Sequence, residues 1–368
     1  MFSRSMTKLA IAAAAAGTIC TLGAASAFAA PSAGWSGAKG PVPHAITNNT
    51  PTISSISFPS GSKIGQGVIA GWRARGNSGD IFYTYRAPGL HKGKWSKKLQ
   101  LAGANASSGP VFRPYTDPSG DPAILAVWTG HLDHHIWFKQ GETRKDGSID
   151  WNPATVLPPS VQFTNTTAGP SILFTNHVFR LVLSWRGPAN HIRFVVGVPN
   201  GRGFTWGTSA IIPGPAVTSN CKGAPCTANA PALAEQQVNA QTGVIYFFWR
   251  QLGTTNIIYS TTADTAANLN GKLAFTAPTQ VPGLHANTNQ SPAASDSTLA
   301  GFGPLLLAYK APGATLVRFQ AFNGTNWSTP AVVPNNTHTT VGPSLFINTL
   351  ATTTPSQDGN IIWHVFSN

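Results

Sequence analysis

Six positions along the chain carry side chains suited to holding an anion or a polar group. Arg73, Thr129, Arg186, Arg250, Lys310 and His364 each stand one place after an aromatic residue that closes an apolar run: Trp72, Trp128, Trp185, Trp249, Tyr309 and Trp363. Five of the six carry positive charge, counting His364 when protonated. Guanidinium and ammonium groups repeated in one frame suit carboxylates, sulfates or phosphates. The same side chains have a structural use, packing across neighbouring units and donating to backbone carbonyls. A second cluster is the His131-Leu132-Asp133-His134-His135 turn with Trp137 just beyond it. Successive strand residues point to opposite sides, so His134 and His135 do not converge on one metal. The cluster reads as a polar rim, with His135 and Trp137 as candidate ligand contacts. Glutamate occurs only at Glu142 and Glu235, in turn-like and inner-strand settings. Hydrolysis by a carboxylate pair is hard to staff from so few acids. No catalytic residue, metal or cofactor is assigned.

The elements that must position these groups follow from composition and repeats. The 368-residue chain opens with Arg4 and Lys8, an apolar Ala-rich run from Leu9 to Leu22, and the small-x-small triplet Ala27-Phe28-Ala29. That is the pattern of a secretory signal over residues 1–29, removed near Ala30. No other apolar run approaches the ~20 residues a spanning helix needs. Without Arg4 and Lys8 the chain has 22 basic residues against 11 acidic ones, a net charge of +11 with His neutral. Such a balance favours anionic cell-surface polymers and acidic glycans over neutral partners. Nucleic acid is the less expected partner. Cys221 and Cys226 remain after the leader, five apart in a polar loop. In an oxidising compartment they form a small-loop disulfide, worth roughly 2 kcal/mol.

Three markers recur six times at spacings of 51 to 69 residues. The first is the aromatic that closes each apolar run. The second is an outer aromatic after each of the first five: Trp95, Trp151, Trp206, Phe275 and Trp327, with Trp35 as the sixth at the N-terminal end. The third is a strand-opening proline: Pro51, Pro110, Pro170, Pro231, Pro292 and Pro343. Each unit reads as four short strands, the make-up of a propeller blade. Residues 30–368 are therefore expected to form one all-β, six-bladed β-propeller, closed by the N-terminal strand pairing with the C-terminal blade.

In blade three, for example, the strands are expected at Ser171–Thr175, Phe179–Arg186, His191–Val196 and Trp206–Ile212. The outer strands of blades two, four and five are expected at Trp151–Leu157, Phe275–Val281 and Trp327–Val333, each unbroken. Blade six lacks a third-strand phrase, so it has three strands or an edge filled by another chain. The second-strand tryptophans are expected to pack between blades. The cations after them fall near one rim, on the face that carries the blade-to-blade links. Those links are rich in Thr, Ser and Asn, which suits sugar hydroxyls and is also ordinary turn composition.

The W-R-G, I-R-F, turn, W phrase resembles bacterial and fungal six-bladed propellers grouped with sialidase-like repeats and fucose-type lectins. The turn before each outer aromatic, such as Asp146-Gly147 before Trp151, resembles a worn Asp-box. In the fucose-binding members an Arg on the third strand pairs with a following Glu. Arg193 and Arg318 match that Arg, and no Glu follows either. The resemblance implies a carbohydrate-binding protein, with a sialidase-like glycoside hydrolase and a protein-interaction scaffold as the other readings. The Ala-rich leader and composition also resemble those of actinobacterial exported proteins. Propeller lectins there serve as recognition subunits of larger secreted assemblies, including antibacterial toxin particles.

Overall fold

Short runs of β-branched and aromatic residues, separated by Gly, Pro and Asn turns, give antiparallel sheets of four short strands. The computed structural model describes residues 42, 45–90, 94–161, 167–175, 179–201, 203–214, 221, 224–239, 242–264, 273–283, 287–295, 305–333, 339–348 and 358–362. Blade one contains β1 (Thr52–Ile56), β2 (Gly67–Arg73), β3 (Asp80–Arg86) and β4 (Leu99–Asn105). Blade two contains β5 (Val111–Thr116), β6 (Pro122–Thr129), β7 (Ile136–Thr143), β8 (Ile149–Trp151) and β9 (Thr155–Val156). Blade three contains β10 (Ser171–Phe174), β11 (Leu181–Arg186), β12 (Ile192–Asn200), β13 (Gly203–Trp206) and β14 (Ala210–Ile211). Blade four contains β15 (Ala232–Asn239), β16 (Thr242–Arg250), β17 (Ile257–Asp264) and β18 (Thr279–Gln280). Blade five contains β19 (Ala293–Ser295), β20 (Leu305–Lys310), β21 (Val317–Phe322) and β22 (Ala331–Val332).

The fold is a β-propeller, and the expected six full blades are corrected to five. The sixth repeat contributes, among the described residues, a two-stranded sheet of β23 (Ser344–Asn348) and β24 (Asp358–Ile362). Among the described residues no further strand pairs with this sheet. Trp35, Trp363 and His364 lie outside the described residues. The small sheet lies between blades five and one, with β23 against both β19 and β1. The Ile53 backbone N–H donates to Ser344 Oγ at 3.1 Å, joining the last sheet to the first. The same stitch joins other inner strands. Phe112 N–H donates to Thr52 Oγ1 at 3.4 Å, and Leu233 N–H to Ser171 Oγ at 3.1 Å.

The apolar core lies in the seams between blades rather than in one central mass. Trp128, Trp185, Trp249 and Tyr309 are buried there, as their place in the repeat predicts, and Trp72 is buried as well. The outer aromatics form a second set of seam contacts. Trp151 meets Tyr83 edge-on at 5.7 Å, Trp206 meets Phe138 at 5.7 Å, Phe275 meets Phe194 at 5.2 Å, and Trp327 meets Tyr259 at 5.9 Å. In every case the outer ring of one blade packs on the third strand of the blade before it.

The outer strands are broken, where unbroken strands were expected. After each outer aromatic the next N–H still bonds the third strand, as Asn152 to Gln140 O at 2.9 Å and Ser328 to Ala321 O at 2.8 Å. Pro153, Pro278 and Pro330 then follow in blades two, four and five. Proline supplies no N–H to the ladder, so pairing lapses and resumes as the short β9, β18 and β22. The Asp-box-like turn of blade two survives in function. Asp146 Oδ1 accepts from the backbone N–H and hydroxyl of Ser148, at 2.9 and 2.7 Å, and these bonds lower its pKa. Gly147 turns there at φ +90°, and any Cβ would strike Leu90 of blade one.

Candidate functional site

The links between blades form one face of the ring. Thr166 stands four residues before its strand-opening proline and lies outside the described residues; four described links begin the same way, at Thr47, Thr227, Thr288 and Thr339. Each buried hydroxyl accepts the backbone N–H two residues on, from Asn49, Asn229, Gln290 and Val341, at 3.1 to 3.2 Å. Three of these threonines also donate their own N–H to the preceding blade's turn: Thr227 to Asn190 O at 2.9 Å, Thr288 to Thr255 O at 2.7 Å and Thr339 to Thr315 O at 2.6 Å. The Thr-x-x-x-Pro spacing was a readable signal that composition alone did not isolate. It fixes each link tightly, and at Gly109 a Cβ would collide with the carbonyl oxygen of Thr50.

The residues after the second-strand aromatics reach these links. Arg73 Nε donates to Ala106 O, Thr129 Oγ1 to Ala168 O at 2.9 Å, and Arg186 Nη1 to Ala228 O at 2.7 Å. Arg250 donates to Thr254 O, Asn289 O and Asn229 Oδ1 at 3.0, 3.1 and 3.2 Å. Lys310 Nζ bonds Asn289 Oδ1 at 3.1 Å. Arg73, Thr129, Arg186 and Arg250 each tie their blade to the link that follows, and Lys310 ties blade five to the link before it. Burial lowers the pKa of Arg73, Arg186, Arg250 and Lys310 by disfavouring the charged form. His364 belongs to this frame by sequence and lies outside the described residues.

Inside the links the inner strands surround an axial cavity of about 360 Å³. Its wall is built from link and inner-strand residues of all six sheets, including Asn49, Ser108, Asn229, Gln290 and Ser344. Two charged side chains line it, Arg113 and Arg186, and no Asp or Glu does among the described residues. Arg113 was not singled out from the sequence. It follows Pro110 by three places, where β1, β10, β15 and β19 carry Ser54, Leu173, Ala234 and Ser295, and that one departure was the available signal.

The other sequence candidates fall elsewhere. Trp137, Arg193 and Arg318 occupy one equivalent position, opposite Trp128, Trp185 and Tyr309 on the second strand and beside Val156, Ile211 and Val332 of the outer edge. Phe82 and Ile258 fill it in blades one and four. Trp137 is half-buried, and its Nε1 donates to Asp133 Oδ2 at 2.9 Å. Exposed His135 sits beside the same carboxylate, Nδ1 to Oδ2 at 3.5 Å, and its N–H bonds Asp133 Oδ1. Asp133 therefore organises the turn, leaving Leu132 at its tip 88% exposed. No group of three or more His, Cys, Asp or Glu able to hold a metal occurs among the described residues. Burial and desolvation lower the Arg193 pKa.

Cys221 and Cys226 form the expected disulfide, with Cα atoms 5.5 Å apart. It braces the link between blades three and four. Pro225 O accepts from Ile192 N–H at 3.4 Å, and Cys226 O from Leu252 N–H at 3.3 Å. Of the two glutamates, Glu142 pairs with Arg144 at 3.0 Å and Glu235 is buried on β15. No helix among the described residues is long and apolar enough to cross a membrane.

No protein-family model matches the chain, and no curated protein matches it. Solved structures do. The SapL1 lectin in complex with α-methyl fucoside is 13% identical, with 83% of this chain and 86% of that chain covered and a TM-score of 0.51. An α-L-arabinofuranosidase from Fusarium graminearum with an iminosugar inhibitor is 11% identical, over 81% and 84% of the chains, at 0.52. The α-L-arabinanase of Penicillium chrysogenum with arabinobiose is 12% identical, over 84% and 88%, at 0.51. At these identities the likeness establishes a shared fold, and the chain is similar to propellers of both a lectin and glycoside-degrading enzymes.

Proposed function

We propose that the protein is a secreted, non-enzymatic carbohydrate-binding propeller that takes cell-surface or cell-wall glycans into its axial funnel. One observation carries this reading: the funnel wall offers hydroxyls, amides and backbone groups from the links beside two arginines, with no carboxylate among the described residues. Hydroxyl and amide groups on a fixed frame match the alternating donors and acceptors of a sugar. Glycoside hydrolysis in its common form needs two carboxyl groups flanking the scissile bond, and none lines this funnel among the described residues. Two of the similar structures hold a saccharide, α-methyl fucoside in one and arabinobiose in the other. The signal-like leader and the disulfide support an extracellular location. As a recognition subunit of a larger secreted assembly, the protein would leave its outer rim for partner chains.

A glycan array with the processed chain tests the reading. Binding to a defined set of glycans is expected, with loss on closing the funnel by Ser108→Trp. No binding to any glycan, by a chain shown to be folded, rejects it. Release of sugar from a bound oligosaccharide would reject the non-enzymatic part alone.

A further inference from the structure

Charge in the funnel is not spread evenly about the axis. Arg113 on β5 donates from Nε to the Ile172 carbonyl of β10 at 3.1 Å. Ser171 pairs with Ser184, so β11 carries Arg186 two places further, alongside the Thr167–Pro170 link. From there Arg186 reaches Ala228 O on the far side of blade three. Two guanidiniums thus flank one inner strand and its link, both lining the cavity. Beside that link the ring of long cations is interrupted by the short Thr129.

Two further observations fall on the same side. The turns between second and third strands reach left-handed backbone through glycine in blades one, four and five, at Gly76, Gly79, Gly253 and Gly313. In blades two and three they do so through His134, Ala189 and Asn190, at φ +54°, +55° and +62°. Non-glycine residues held there carry strain that gathers at ligand sites. His131 and His191, in those two turns, each have a buried Nδ1 with no hydrogen-bond partner among the described residues.

Resting on the carbohydrate reading above, we propose that the ligand is an acidic saccharide whose anionic group sits off the axis, between Arg113 and Arg186 against the blade-three link. Each guanidinium carries several N–H donors in a fixed fork, so an anion between the two gains charge-assisted hydrogen bonds from both sides. The neutral link groups then take the sugar's hydroxyls. Uronate, sialate and sulfate esters share this chemistry.

The test is an array of uronate-, sialate- and sulfate-bearing oligosaccharides printed beside their uncharged counterparts, followed by calorimetric titration of the strongest binder. Titrations use the wild type, Arg113→Gln, Arg186→Gln and Lys97→Gln, the last an exposed charge on blade one. Binding is expected only to charged glycans, weakened at least about tenfold in each arginine variant and unchanged in Lys97→Gln. Wild-type affinity should also fall steeply from about 50 to about 500 mM NaCl. Equal binding of uncharged counterparts overturns the acidic class and leaves the carbohydrate reading standing. Binding of no saccharide overturns both, as does a preference for single-stranded oligonucleotides over every glycan. Full affinity in folded arginine variants overturns the site. Should those variants fail to fold, a wild-type affinity flat in salt overturns the proposal.

Discussion

Trp185 and Trp249 hold the same place in neighbouring blades, yet their substitutions have different consequences. Both are fully buried, and removing either ring opens a large cavity. Trp185→Ala is expected to cost about 3–5 kcal/mol in denaturant unfolding. Trp249 Nε1 has no hydrogen-bond partner among the described residues. An unsatisfied buried donor is itself costly. Trp249→Phe, which keeps an aromatic ring and deletes that donor, should therefore change stability by less than about 1 kcal/mol. A loss as large as the alanine variant's would show that ring volume alone matters. Two tyrosines set an alkaline limit. Burial, only partly countered at Tyr115 by the Gln140 hydrogen bond, raises Tyr115 and Tyr246 from 10.0 to about 12. The unfolded chain then releases these protons at lower pH than the folded one. Their contribution is fully present below pH 10 and is lost as pH rises towards 12. Unfolding free energy measured across that window should decline, and Tyr246→Phe should flatten the decline.

At the scale of the element, the link and the cation behind it act as a unit. Arg250 touches its own blade's turn at Thr254, the preceding link at Asn229 and the following link at Asn289. Arg250→Met keeps the packed stem and removes three charge-assisted bonds, so it should destabilise by about 1–3 kcal/mol in thermal or chemical unfolding. The second-strand frame that exposed these cations was legible in the sequence because tryptophan is rare and its spacing regular. Strand order within each blade was legible for the same reason. What the cations touch was not, since a backbone carbonyl leaves no trace in residue identity. The outer strands were misread as continuous because their prolines look like turn punctuation, and only pairing shows that the strand resumes after them. Trp137, Arg193 and Arg318 looked unrelated as side chains. Register made them one position, because a shared cross-strand partner is a geometric fact rather than a compositional one. Arg113 escaped notice because a single cation in an inner strand matches no repeat.

At the scale of the molecule, the described residues close the ring through the two-stranded β23–β24 sheet. The Ser344 hydroxyl joins β23 to the Ile53 amide. Ser344→Ala should cost about 1 kcal/mol and speed hydrogen exchange at the Ile53 amide more than at the Leu233 amide, which keeps its own serine partner. Equal protection in variant and wild type would place closure elsewhere. Reducing the Cys221–Cys226 bridge should lower stability by about 2 kcal/mol without unfolding the chain, read as a shifted denaturant midpoint.

The seam contacts have a direction. The outer rings of blades two to five dock backwards, onto a strand of the preceding blade, as Trp151 does on Tyr83 and Trp327 on Tyr259. A polypeptide delivered amino end first, as in synthesis, therefore never waits for later sequence to bury those rings. Each newly delivered repeat finds its receptor surface already in place, and assembly can keep pace with chain delivery one wedge at a time. Only the final seam, back to β1, must wait for the last sheet to arrive.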